Sequence, residues 1–128
     1  MTAVLSVMAA GPLVSVQDGG RAGLMRYGVP CSGPMDRGAF AAANLALGNR
    51  GDAPGIEISL GGLTLECLAG EVGFALTGGG FIAEYGEQRI GSWSMATLRA
   101  GERLVIRRGP WGSWCYLAFA GRMQVPEW

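Results

Sequence analysis

The sequence contains no histidine, and all ten of its basic residues are arginine. Without His the chain cannot build a Ser-His-Asp or Cys-His nucleophile–base system from its own residues. It cannot build an imidazole metal site either, and no metal ligand set is expected. Without Lys there is no Schiff base and no phosphate-loop lysine. Cysteine is scarce: Cys31, Cys67 and Cys115 lie too far apart for a C-x-x-C zinc or redox motif. An odd, sparse set fits a reducing compartment. Cys67 and Cys115 sit in apolar runs and read as small core hydrophobes. Charge is scarce too, at 16% of residues, with ten acidic residues balancing the ten basic ones. The arginines are scattered except for Arg107-Arg108, so no basic stripe exists to follow a phosphate backbone and no nucleic-acid partner is expected. No apolar run reaches the ~18 residues that a membrane helix needs. Residues 2–16 imitate a signal peptide but lack a basic start and are interrupted by Gly11-Pro12. The expectation is a cytoplasmic protein with no membrane partner.

What is present is apolar and rich in glycine: 49% hydrophobic residues and 23 Gly in 128 positions. The length suits one domain spanning 1–128. Low charge is compatible with a large interface, or with a compact glycine-rich β-protein. Residues 4–8 and 13–16 read as strands. From Gln17 to Pro34 the periodicity vanishes among glycines and prolines, and a structureless stretch of that length inside a domain is usually functional. One helix is expected near residues 37–48: Asp36 is a good N-cap, and Phe40, Ala43, Asn44 and Leu47 share one face. Beyond Pro54 short strands are expected at 55–60, 63–68, 72–77, 81–85, 95–99, 104–108 and 114–120. Turns are expected at Gly61-Gly62 and Gly78–Gly80. The fold class is therefore mainly β, a barrel or sandwich.

A two-residue turn at Gly61-Gly62 would pair Leu60 with Leu63, Ile58 with Leu65 and Ile56 with Cys67. It would also set Glu57 opposite Glu66, and opposed like charges destabilise a sheet. Such a pair marks either a perturbed carboxylate site or a solvated pair relieved by an arginine. In the glycine-rich segment, Asp18 is placed to accept a proton and Arg21 to grip a carboxylate or phosphate bidentately, unless the two form a simple loop turn. Ser32 and Gly33 lead to Asp36 and the helix start, whose amides form either an anion site or a plain capped end. Asn44, on the apolar helix face, is a structural bridge or a ligand contact. Cys31, with no partner base in the chain, reads as a spectator. Trp93, Trp111, Trp114 and Trp128 are scattered and read as core or interface residues.

In order, the chain carries Val16-Gln17-Asp18-Gly19-Gly20-Arg21, Tyr27-Gly28-Val29-Pro30, Ser32-Gly33-Pro34-Met35-Asp36, Ala43-Asn44-Leu45, Ile56-Glu57-Ile58 and Leu60-Gly61-Gly62. These motifs resemble the biotin-dependent carboxyltransferase subdomain family, which includes the C-subunit of 5-oxoprolinase, the allophanate hydrolase second subunit and urea-carboxylase carboxyltransferase domains. The resemblance implies a cyclophilin-like β-barrel, whole or partial. It implies a first-subunit homologue as partner and a small amide or lactam as substrate. It implies ATP acting through the complex in opening 5-oxoproline to glutamate. The alternative is carboxyl transfer from carboxybiotin, carried by a partner, to an amide such as urea. A third reading is a noncatalytic regulatory interaction module. On this resemblance Asp18 is the candidate catalytic residue. Gln17, Arg21, Ser32, Gly33, Asp36, Asn44 and Glu57 are the candidate substrate-binding residues. Ala22 departs from the family's usual proline. Family members are longer, so the chain is expected to be the N-terminal half, inactive alone.

Overall fold

The computed structural model describes residues 3–11, 14–17, 36–59 and 61–121. Within them run β1 (Val4–Ala10), β2 (Ser15–Gln17), α1 (Arg37–Ala46), β3 (Gly55–Ile58), β4 (Leu63–Ala69), β5 (Glu71–Tyr85), β6 (Gln88–Gly91), β7 (Ser94–Arg99) and β8 (Arg103–Phe119). All the strands join one antiparallel sheet, which curls into a half-barrel. The expected mainly β class with a single helix is what the structure shows among the described residues.

β5 and β8 are the longest strands, and they pair with each other along most of their length. β3 and β4 lie end to end along the other edge of β8, opposite Cys115–Leu117 and Arg103–Ile106. β2 adds outside β3, and β1 outside β4. On the far edge of β5, β7 pairs with Glu71–Leu76 and β6 with Ile82–Tyr85.

Successive side chains on a strand face opposite ways, and the two spine strands use both faces. Phe74 and Leu76 of β5 join Cys115, Leu117 and Phe119 of β8 in the main core, with Ile58, Leu65, Leu98 and Leu104. The alternate residues Ala75, Tyr116 and Ala118 face α1 and pack against Ala39, Phe40 and Ala43. The small alanines let the helix lie close. Burial on both faces explains why residues 114–120 read as an unbroken apolar run. Cys67 and Cys115 are fully buried, as expected of core hydrophobes.

The helix starts as expected, with the Asp36 Oδ1 accepting from the Ala39 N–H at 3.0 Å. It ends at Ala46, two residues earlier than expected, with Leu47 as the C-cap.

The expected hairpin does not form. β3 and β4 never pair with each other; β8 pairs with both. Ile58 sits opposite Cys115, and Leu63 opposite Ile106, so the chain runs on in one direction past Gly61-Gly62. Glu57 faces Tyr116 and Ser15 across the ladder, while Glu66 faces Arg103 and Ser6. The expected Glu57–Glu66 opposition is therefore absent. A long strand that satisfies both segments outweighs a local two-residue turn, because it also buries Ile58, Leu63, Leu65 and Cys67 in the same core.

A turn does form at Gly61-Gly62, with the Gly62 N–H donating to the Ser59 carbonyl at 3.0 Å, but it does not fold the chain back on itself. The expected Gly78–Gly80 turn is absent, since β5 runs through it. The backbones there approach so closely that a Cβ on Gly79 would meet the Gly112 Cα at 2.8 Å. Between the pairs Gly78↔Cys115 and Ile82↔Arg107, β5 has three residues and β8 has seven. The surplus throws out an excursion of β8 around Trp111. The polar strand β6 carries no sequence pattern and was not expected.

Candidate functional site

The N-terminus of α1 lies over the upper ends of β3, β5 and β8, and three polar groups meet beneath it. The Asp36 backbone N–H donates to the Tyr116 hydroxyl at 2.8 Å. The same hydroxyl donates to Glu57 Oε2 at 2.8 Å. Glu57 is 4% exposed and Tyr116 1% exposed. Burial first, and then the hydrogen bond to Glu57, push the Tyr116 phenol well above its ordinary range, so it stays protonated and stays a donor. Beside this pair, the buried Thr77 hydroxyl donates to the Ala39 carbonyl at 2.6 Å. The Phe40 ring meets the Tyr116 ring edge-on, with centroids 6.0 Å apart. The helix start is thus pinned to the sheet by Tyr116 and Thr77, both on the helix-facing side of the spine strands.

Glu57 reaches this place through strand parity. Ile56 and Ile58 turn into the main core, which leaves Glu57 on the opposite face, toward α1. A carboxylate so buried has to be partnered; Tyr116 supplies one partner, and Glu57 has further interactions besides.

The sequence candidates divide into three groups. The structure brings Glu57 and Asp36 to the same hydroxyl. Gln17 closes β2 opposite Gly55, on the strand next to β3. Asn44 sits further along the helix: its Nδ2 donates to the Ala53 carbonyl at 2.8 Å, and its Oδ1 accepts from Asn49 Nδ2 at 3.1 Å. Asn49 in turn donates to the Phe119 carbonyl at 2.7 Å. These bonds tie the loop after α1 to the end of β8. Asp18, Arg21, Ser32, Gly33 and Cys31 lie outside the described residues.

Tyr116 was not among the sequence candidates. Its signal was parity: in residues 115–119 the odd positions carry core residues, so a tyrosine at an even position belongs to the other face. Nothing local showed that this face lies under the helix start.

The tryptophans are the second surprise. Trp93, Trp111 and Trp114, scattered in sequence, line one open cleft of about 410 Å³ with Asp36, Gly78, Gly79, Gly112 and Ser113. Trp93 has φ of 66°, the one positive φ at a non-glycine among the described residues. A bulky residue held there carries strain of about 1–3 kcal/mol. Its backbone N–H donates to the Leu76 carbonyl at 2.6 Å, and its indole N–H to the Gly78 carbonyl at 2.9 Å. Its neighbour Ser92 donates to the Gly79 carbonyl. These bonds hold the indole at the cleft.

Comparison with known proteins places the chain. A family model described as carboxyltransferase domain, subdomain A and B, matches residues 27–128. The chain is 39% identical over 123 residues to the 5-oxoprolinase C-subunit of Escherichia coli, covering 96% of this chain and 39% of that protein. It is 36% identical over 123 residues to the urea amidolyase of Lachancea kluyveri, covering 95% of this chain and 7% of that protein. The structure resembles the crystal structure of the Kluyveromyces lactis urea carboxylase, with TM-score 0.82 and 34% identity over 98% of this chain and 11% of that one. The chain spans less than half the length of each of these relatives.

Proposed function

The chain belongs to the carboxyltransferase domain family, subdomain A and B, and on that premise we propose that it forms the N-terminal part of a protein like the 5-oxoprolinase C-subunit. In this reading it works beside a first-subunit homologue in the ATP-dependent opening of 5-oxoproline to glutamate. The observation that carries the reading is the 39% identity to the 5-oxoprolinase C-subunit across 96% of the chain.

The described site joins the Asp36 backbone N–H and the Glu57 carboxylate through the Tyr116 hydroxyl, with the Asp36 carboxylate capping the helix start beside them. Such a set suits the N–H of an amide or lactam. In this reading ATP acts through the partner subunits. Tyr116 acts as a positioning residue, holding the Asp36 end of α1 against β3. In the adjoining motifs, Arg21 and the helix start hold an anionic group of the substrate. Gln17, Ser32 and Gly33 orient its amide. Asp18 accepts a proton during opening of the ring.

The test is reconstitution of the full-length protein with its partner subunits, followed by glutamate formation and 5-oxoproline-dependent ATP hydrolysis. Asp18→Ala is expected to lower turnover by about 100-fold or more, the size of a lost acid–base group. Full turnover with an intact fold would remove Asp18 from the mechanism. A second reading, carboxyl transfer from a partner's carboxybiotin to urea, is supported by the likeness to the urea carboxylase structure. Urea-dependent loss of carboxyl from carboxybiotin, with no glutamate formed, would select it.

A further inference from the structure

We propose that Trp93, Trp111 and Trp114 form the wall against which the planar amide face of the substrate's lactam ring lies. The inference deepens the function proposed above and rests on it.

The cleft has the volume of a small-molecule site, about 410 Å³, against the ~300–1,000 Å³ usual for such sites. Its walls are indoles, whose faces stack on planar amide groups as they do on other flat π-systems. Its polar residues are Asp36, whose Oδ1 caps Ala39 and whose carboxylate keeps Oδ2 as an acceptor for a ring N–H, and Ser113. Asp36 also belongs to the Tyr116–Glu57 chain of hydrogen bonds, so the cleft and the pinned helix start are one continuous region.

Trp114 packs against the cluster of Ala39, Phe40 and Tyr116, but packing does not account for the other two tryptophans. Trp93 and Trp111 are each 59% exposed. Core tryptophans are deeply covered, yet the fold holds Trp93 in a strained backbone conformation while most of its ring stays in solvent. An observed backbone outlier is grounds for assigning function. Glycine is required beneath the rings as well: a Cβ at Gly80 would collide with the Trp111 indole. On either side of Trp111, which pairs with Gly80, β8 has three residues where β5 has one.

The test uses the full-length protein assembled with its partner subunits and two probes, 5-oxoproline and 2-pyrrolidone, the second keeping the lactam ring without the carboxylate. Binding is read by calorimetry and by quenching of tryptophan fluorescence. Both ligands are expected to bind with quenching. Trp93→Gly, which relieves the backbone, and Trp111→Ala are each expected to weaken both ligands about tenfold, the loss of one stacked ring. Trp93→Gly is also expected to leave the melting temperature within a few degrees, which separates lost binding from lost fold. Unchanged affinity for both ligands in both variants would overturn the wall and leave the proposed function standing. Binding of 2-pyrrolidone that depends on the tryptophans, with no turnover of 5-oxoproline, would keep the wall and overturn the proposed function. Failure of the wild-type assembly to bind either ring would overturn the wall.

Discussion

Glu57 and Glu66 lie on successive strands, both laid against β8, and they meet opposite fates. At the upper end of β8, Glu57 faces Tyr116, is shut away from water and joins the hydrogen bonds beneath α1. At the lower end, Glu66 faces Arg103 and forms an ion pair at 3.1 Å, with the arginine side chain 60% exposed. The two ends use the same strand and the same kind of ladder. The difference is what covers the outer face. Where α1 lies across the sheet, a polar residue becomes part of a positioned site. Where no helix of the described residues lies across the sheet, the same residue stays partly exposed, 28% for the Glu66 side chain, and pairs with an exposed arginine.

The contrast is tested first at its buried end. Leu117 is fully buried, next to Tyr116 but on the opposite face. Leu117→Ala is expected to cost about 2–5 kcal/mol, as large-to-small core changes do. Chemical denaturation of the full-length protein checks it, and a loss below about 1 kcal/mol would mean the upper core is not packed as described.

Tyr116→Phe keeps the ring and removes the hydroxyl from between Asp36 and Glu57. The expected cost is about 1–3 kcal/mol, the usual penalty for stranding buried polar groups. It also carries a pH signature. The Tyr116 phenol is raised when folded, by burial first and by its bond to Glu57 second. Its contribution is complete below the unfolded phenol's value, about 10, and is lost as pH rises beyond it. Wild type should therefore lose stability above about pH 10, and Tyr116→Phe should lose less over the same range. Parallel stability–pH curves would place the hydroxyl outside the buried network.

The smallest effect is expected at the exposed end. Arg103→Gln breaks the ion pair with Glu66 and should cost no more than about 1 kcal/mol, shrinking further in high salt. A larger, salt-insensitive loss would erase the distinction between the two ends.

The comparison also separates what could be read from the residues from what could not. The helix was legible because Asp36, Phe40, Ala43 and Asn44 form a complete local pattern. The core face of each strand was legible, because alternation within β3 sets Ile56 and Ile58 on one side and alternation within β4 does the same for Leu63, Leu65 and Cys67, although the hairpin expected to join the two faces does not form. The partners of those strands were not legible. Gly61-Gly62 and Gly78–Gly80 look like hairpin turns in isolation, and only the long strand β8 shows that the first turn does not reverse the chain and that the second is a close approach of two strands. Tyr116 was hidden in an apolar run for the same reason. The tryptophan cleft was hidden because its walls come from the start of β7 and from an excursion of β8 that no spacing announces.

By itself, then, the sequence determined the class of the fold, the single helix and its cap, the family, and the absence of histidine and lysine chemistry. Those follow from composition, short-range periodicity and contiguous motifs, all of which are local. Only the tertiary structure decided that Glu57 meets Tyr116 and not Glu66, that Tyr116 pins the start of α1, and that three distant tryptophans share one cleft. Those depend on which strand pairs with which. Strand pairing is fixed by the joint burial of both faces of β5 and β8, a quantity that belongs to the whole sheet and to no segment of it.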